Sequence, residues 1–108
     1  MIYSFMRLIL FFDLPMVTKS EKRVYNQFRK YLIKNGYIRM QFSVYCKLFG
    51  NRDAAVKHIN VLKQNLPLDG QIRTMLVTEK QYSRIAILVG GISNQETTVN
   101  SEPFLKLW

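Results

Sequence analysis

The feature that most constrains this chain is a short apolar run near its start, which ends abruptly at a carboxylate and a proline. The run covers residues 6–15 and reads MRLILFFDLP. Its length, its branched and aromatic side chains and the terminating proline predict a buried strand rather than a helix. Alternation along that strand gives two faces, one with Leu8, Leu10 and Phe12 and one with Ile9, Phe11 and Asp13. Both faces are apolar, so both are expected to pack against other parts of the protein, as in a central strand. Asp13 lies where the strand leaves the sheet, a common position for functional residues.

Length, charge and cysteine content narrow the class of protein. A chain of 108 residues is expected to form one domain. A net charge of +9 predicts a polyanionic partner, nucleic acid first and an acidic membrane surface second, although a merely basic surface stays open. Cys46 is the only cysteine, which excludes an internal disulfide and fits a reducing cytoplasm. The apolar start is too short to span a membrane and lacks a cleavage site, which favours a strand over a signal or anchor.

The next segment predicts a basic amphipathic helix. Thr18 and Glu21 have the spacing of a capping box, and Gly36 is a left-handed stop after about Asn35. The expected inward stripe is Val24, Phe28, Tyr31 and Leu32. The opposite side carries four cations predicted to contact phosphates, Lys19, Arg23, Lys30 and Lys34. An ordinary solvated face is the alternative.

Further strands and a second helix are expected downstream. Residues 37–49 predict a strand with an apolar face of Met40, Phe42, Val44, Cys46 and Leu48 and a polar face of Arg39, Gln41, Ser43, Tyr45 and Lys47. A helix should follow residues 50–53 and end before Pro67, with Val56, Ile59, Leu62 and Leu66 inward and His58 at the boundary. Residues 71–78 predict a strand, residues 79–83 a hairpin-like connection and residues 84–89 a further strand.

We interpret the whole as an α+β ferredoxin-like βαββαβ domain, with a four-stranded antiparallel sheet and two helices on one face. The domain is expected over residues 1–91, followed by a polar tether and apolar tail over residues 92–108. The tail ends in four apolar residues predicted to dock on a partner, Phe104, Leu105, Leu107 and Trp108. Because two helices cover only one face, we expect a homodimer stacked sheet to sheet, with Ile9, Phe11 and Asp13 inward.

Little in the sequence suggests catalysis except Asp13. There is no glycine-rich phosphate loop, no nucleophile–histidine pair and no metal-spaced set of cysteines or histidines. One carboxylate holds magnesium poorly, but two Asp13 side chains brought together by a dimer could share a hydrated Mg²⁺. Such an ion readies a water for attack on a phosphodiester. The alternative is that Asp13 caps the turn that follows it.

Three segments together resemble a known family. LILFFDLP at residues 8–15, a basic helix holding Arg23 that stops at Gly36, and QFSVY at residues 41–45 are similar to the small CRISPR-associated adaptation proteins, the partners of the spacer integrase. The resemblance spans roughly residues 7–89. The short apolar tail is most similar to members from systems with a single large effector nuclease.

The resemblance implies a ferredoxin-like homodimer that bridges integrase dimers and holds duplex protospacer DNA. It also implies magnesium-dependent endonuclease activity on RNA or DNA, with Asp13 as the catalytic metal ligand. Arg23 matches the family's helix arginine, and Ser43 and Tyr45 match its second-strand motif. In the family's integration complexes the bridging protein is largely structural. The alternative function is that of a stand-alone metal-dependent nuclease. An RNA-recognition module is less favoured, because the predicted strand QIRTMLV offers no aromatic ring for base stacking.

Overall fold

A four-stranded antiparallel sheet organises the fold. A computed structural model describes residues 4–91 of the chain. The elements are β1 (Met6–Asp13), α1 (Lys19–Lys34), β2 (Ile38–Gln41), β3 (Val44–Phe49), α2 (Arg52–Leu62), a 3-10 turn (Lys63–Asn65), β4 (Gln71–Thr78) and α3 (Glu79–Ser83). The strand order is β2-β3-β1-β4, and every neighbouring pair is antiparallel. The predicted α+β ferredoxin-like arrangement is therefore confirmed, with β1 as a central strand.

The main core lies between the sheet and the first two helices. Leu8, Leu10 and Phe12 are buried there, as the alternation of β1 predicts. The Phe12 ring meets Phe28 of α1 edge-on, with centroids 5.2 Å apart. Aromatic pairs in this geometry contribute beyond the area they bury, so this contact fixes α1 across β1.

Helix α1 begins and ends where the sequence predicts. The Glu21 backbone N–H donates to Thr18 Oγ1, and the Thr18 N–H donates to Glu21 Oε1, which completes the capping box. Gly36 has a φ of +89°, the left-handed conformation that glycine adopts without strain. The predicted inward stripe was wrong at one position. Tyr25 is buried, whereas Val24 is 41% exposed.

Residues 37–49 form a hairpin rather than the single predicted strand. β2 and β3 meet at a tight turn in which Ser43 has a φ of +62°, and their register shifts between Arg39 and Gln41. The predicted burial was wrong at three positions. Phe42, expected on the apolar face, lies in this turn and is 61% exposed, and Leu48 of the same expected face is 39% exposed. Tyr45, expected on the polar face, is 1% exposed because its side of β3 packs in the main core, while Cys46 packs on the other face of the sheet. Cys46 is buried, as predicted.

The segment after β4 was also predicted wrongly. Residues 79–83 form the short helix α3 instead of a hairpin connection, because Thr78 and Gln81 make a second capping box. Residues 84–89 then follow without strand structure. The hairpin supplies the strand that residues 84–89 were expected to supply, which is why the four-strand topology was still predicted correctly.

Helix α3 covers part of the second face of the sheet. Its Tyr82 is buried against Ile9 and Cys46. The two predicted helices, α1 and α2, share one face as expected. The expectation that the other face is left wholly to a second copy is wrong, because the additional helix α3 covers part of it. In α2 the predicted stripe is only partly correct, since Ala55 and Leu62 are the buried residues and Val56 is exposed. The change to 3-10 winding after Leu62 shifts the phase and leaves Leu66 exposed as well.

Candidate nucleic-acid interface and strand-end carboxylate

Asp13 is the last residue of β1 and is exposed. Its register partner on β4 is Gln71. Between residues of the described range 4–91, the one ion pair joins Arg7 to Glu79, so none of these cations neutralises Asp13. The carboxylate is therefore available to a ligand.

A glycine permits the close approach of the chain to this strand end. Gly70 has a φ of +94°, and a Cβ placed on it would lie 2.6 Å from the Asp13 carbonyl oxygen. The same Cβ would lie 2.7 Å from Leu14 Cδ2. Only glycine fits this position, which lets β4 begin directly beside Asp13.

The β2–β3 hairpin turn is joined to the same end of β1. The Phe12 backbone N–H donates to the Ser43 carbonyl oxygen at 3.1 Å, one residue before Asp13. Ser43 Oγ and Tyr25 Oη share a hydrogen bond of 3.2 Å. The fold thus brings Asp13 and Ser43, two of the predicted site residues, to one end of the sheet and links them to α1.

Tyr45, the other residue of the second-strand motif, lies in the core. Its ring stacks on Phe12 with centroids 6.0 Å apart. Burial raises the pKa of the Tyr45 phenol, and the nearby cations Arg29 and Arg39 partly offset that effect. Tyr45 therefore supports the end of β1 by packing on Phe12, and its register partner on β2 is Arg39.

The four predicted phosphate-contacting residues share one exposed side of α1. At about 100° per residue, they fall within an arc of about 60°, on the opposite side from the buried Tyr25, Phe28 and Leu32. These are Lys19, Arg23, Lys30 and Lys34, all exposed. We call this set the basic face of α1. The only acid in α1, Glu21, is engaged at the helix start, where a hydrogen bond from the Thr18 backbone lowers its pKa.

His58 is half-buried, as predicted for a boundary residue. Its Nε2 lies 2.7 Å from Tyr37 Oη, and its ring packs against Phe49 with centroids 5.1 Å apart. Burial, followed by the positive charge of Lys47, lowers the pKa of His58. These contacts give the imidazole a packing role between α2 and the sheet.

The donor set for a divalent cation is incomplete among the described residues. Within residues 4–91 no three His, Cys, Asp or Glu side chains converge on a point that could hold a metal ion. Asp13 supplies one carboxylate, so magnesium fits this strand end only if further oxygen ligands come from outside this part of the chain. The tail residues Phe104, Leu105, Leu107 and Trp108 lie outside the described residues.

Four residues of this region were missed by sequence reasoning. Tyr25 is spaced three and seven residues before Phe28 and Leu32, so the helical period could have found it. Arg29 and Arg39 were not singled out because their proximity depends on the hairpin. The tight contact at Gly70 has no local signal beyond the glycine itself.

The fold and charge distribution define a small basic ferredoxin-like domain with an exposed carboxylate at the end of its central strand. No helix within residues 4–91 is both long enough and apolar enough to cross a bilayer. Residues 6–85 match the family described as CRISPR associated protein Cas2, and the chain belongs to this family.

Curated relatives agree with this assignment, and each bears the name CRISPR-associated endoribonuclease Cas2. A protein from Acidovorax ebreus is 46% identical over 96 residues, covering 89% of this chain and 94% of the relative. One from Treponema denticola is 48% identical over 88 residues, covering 79% and 84%. One from Campylobacter jejuni is 40% identical over 105 residues, covering 97% and 73%. The family resemblance predicted from the sequence is confirmed.

Proposed function

We propose that the chain is a subunit of CRISPR spacer acquisition, a homodimer that bridges integrase dimers and holds duplex protospacer DNA. Membership of the Cas2 family supports the CRISPR context. The observation that carries the DNA-binding proposal is the basic face of α1, which presents four exposed cations of one sign away from the core. Such a surface contacts phosphates without reading bases.

The homodimer is supported by the part of the second sheet face that α3 leaves open. Phe11, Leu48 and Met75 belong to this face by register and are 36%, 39% and 51% exposed. Asp13 lies on the same face as Phe11 because the two are separated by one residue in β1. A second copy laid on this face covers the apolar side chains and brings two Asp13 carboxylates to one interface.

The Asp13 pair is the proposed magnesium site of the dimer. A bound Mg²⁺ would supply positive charge for the phosphodiester and would make a water more acidic. The two Asp13 carboxylates would hold the ion at the strand ends. The exposed cations of α1 hold the nucleic-acid backbone.

Duplex binding tests the DNA-holding role. We expect affinity for unrelated duplexes to fall steeply between about 50 and 200 mM salt, since each phosphate contact contributes about −0.9 to the logarithmic slope. Replacing Lys19, Arg23, Lys30 and Lys34 by Gln should reduce that slope. A charge-matched control replaces four exposed cations elsewhere, Arg52, Lys57, Lys63 and Lys80. Equal losses in both variants would contradict a role for the α1 face, and a flat salt dependence would contradict DNA holding altogether.

Bridging is tested by co-purification with a CRISPR integrase expressed together with this chain. We expect the full chain to retain the integrase and removal of residues 103–108 to weaken retention, because the apolar tail is the proposed docking segment. Unchanged retention after this truncation would assign the contact to another surface.

The second candidate is a metal-dependent nuclease acting alone. It is favoured by the names of the relatives, which describe endoribonucleases. Purified protein with Mg²⁺ should then cut RNA or DNA, and Asp13→Asn should abolish cutting while leaving folding intact, because Asp13 is exposed. Equal cutting by this variant would trace the activity to a contaminant.

A further inference from the structure

An aromatic side chain projects from the hairpin turn at the end of the sheet where β1 ends. Phe42 is 61% exposed, although a tight turn at a sheet end is ordinarily polar. One side of its ring stacks on Tyr25, with centroids 5.7 Å apart and planes 18° from parallel. Neither the basic face of α1 nor the proposed Asp13 pair uses this ring.

Phe42 is held on a rigid support. Tyr25 is buried, and its own ring packs on Phe12 with centroids 5.5 Å apart. The Tyr25 hydroxyl bonds to Ser43, the residue that follows Phe42, and the Ser43 carbonyl accepts from Phe12. Two hydrogen bonds and two ring contacts thus fix the aromatic tip relative to the end of β1. A preorganised ring loses little conformational freedom when a ligand stacks on it.

Two arginines belong to the elements that carry this pair of rings. Arg29 lies about one helical turn after Tyr25 on α1, and Arg39 on β2 is the register partner of Tyr45. Arg39 is exposed. An exposed aromatic ring beside arginines matches a nucleotide, which offers a flat π-face and a phosphate together.

We propose that the stacked pair of Phe42 and Tyr25 is a platform for one unpaired nucleobase at the end of a bound nucleic acid. The base stacks on the free side of the Phe42 ring, and Arg29 or Arg39 contacts its phosphate. This inference rests on the proposed nucleic-acid function and adds a preference for ends or single strands over blunt duplex. Since stacking is tolerant of base identity, the platform selects an unpaired base rather than a sequence.

The test compares four fluorescent probes: a blunt duplex, the same duplex with a single-stranded overhang, single-stranded DNA and single-stranded RNA. Wild-type protein should bind the overhang duplex more tightly than the blunt duplex. Phe42→Ala should remove that difference, a loss of about 5- to 150-fold for a stacked base. Phe42→Leu should also remove the preference for the overhang duplex, because leucine keeps apolar area without a π-face. Phe42→Trp should retain it. The DNA and RNA strands show which nucleic acid supplies the base.

A fluorescent base analogue gives a second readout. Placed at the first unpaired position, 2-aminopurine should be quenched by wild-type protein and not by Phe42→Ala. Leu68→Ala, at a fully exposed apolar position between α2 and β4, is the control and should behave as wild type. Circular dichroism shows that each variant is folded.

The two proposals fail in distinguishable ways. If wild-type protein binds no probe, nucleic-acid holding itself is contradicted. If it binds but Phe42→Ala keeps the wild-type ratio of overhang to blunt affinity, the platform is overturned. If Phe42→Ala instead changes the sedimentation behaviour of the free protein and leaves that ratio intact, the ring belongs to an interface between copies.

Discussion

Arg7 Nη2 donates to both carboxylate oxygens of Glu79, at 2.7 and 2.8 Å. The two residues are 72 positions apart, and the pair joins the central strand to the first turn of α3. The Arg7 guanidinium also lies 4.0 Å from the centre of the Tyr82 ring. This contact fastens α3 to the second face of the sheet, and it lets a central strand carry an arginine that is only 2% exposed.

Removing the carboxylate should destabilise the fold. Glu79→Gln removes the carboxylate charge that faces a buried guanidinium, and we expect a loss of about 3 kcal/mol in the free energy of unfolding. Urea denaturation measures this loss. Lys80→Gln, an exposed change on the same helix, is the control and should fall within about 0.5 kcal/mol of wild type.

A double variant distinguishes the loss of the Arg7–Glu79 attraction from the cost of keeping the Arg7 charge buried. Arg7→Met with Glu79→Gln removes both charges and keeps similar volumes, so it should be more stable than Glu79→Gln alone. If the double variant is instead the less stable of the two, the uncompensated charge is not the source of the loss.

Adding one methyl group beside Asp13 should also be costly. In Gly70→Ala the new Cβ meets the Asp13 carbonyl and Leu14, and the backbone must keep a φ of +94°. We expect a loss of about 1–3 kcal/mol, with amide NMR shifts largest at Asp13 and Leu14. Gly50→Ala is the matched control, because nothing lies within 4 Å of its added Cβ. Equal effects at the two glycines would contradict the close approach at the strand end.

The parts of the fold that sequence reasoning predicted correctly depend on local signals. The uninterrupted apolar run placed β1 in the centre of the sheet, and the Thr18–Glu21 spacing set the start of α1. The hairpin was missed because Phe42-Ser43 lacks the glycine or asparagine that usually marks a tight turn, so the alternation seemed continuous. The α3 capping box was present in the sequence, but a helix of five residues has no period to detect.

The candidate site, too, was predicted correctly where the signal is local in the sequence and missed where it depends on tertiary contacts. Asp13 could be placed at a strand end because Pro15 stops the run two residues later. The exposure of Phe42 depends on the tight turn after β2, and the burial of Tyr45 depends on which side of β3 packs in the main core. The pattern of side chains reveals neither. The Arg7–Glu79 contact requires α3 to fold back on β1, so its cause lies in tertiary packing.

Stability should decline as the solution becomes acidic because of His58. Its folded-state pKa lies below the ordinary value near 6.5, so the unfolded chain binds protons more readily at that histidine. This contribution is fully present above about pH 6.5 and is lost as the pH falls through the folded-state pKa. The His58 resonances in an NMR titration should give the lowered pKa directly. His58→Gln should flatten the stability profile below neutral pH, and an unchanged profile would assign the acid sensitivity to another group.

Ser43 combines a strained backbone with a side chain that hydrogen-bonds to Tyr25. Three single variants and one double variant separate the two contributions to stability. Ser43→Ala loses the hydrogen bond to Tyr25 and keeps the positive φ, so we expect a loss of about 1 kcal/mol. Tyr25→Phe removes the same bond and should cost about as much, and the double variant should cost little more than either alone. Ser43→Gly also loses the bond but relieves about 1 kcal/mol of backbone strain, which leaves it near wild type. If Ser43→Gly is less stable than Ser43→Ala, the turn is unstrained at this residue, and the freedom that glycine gives the unfolded chain dominates.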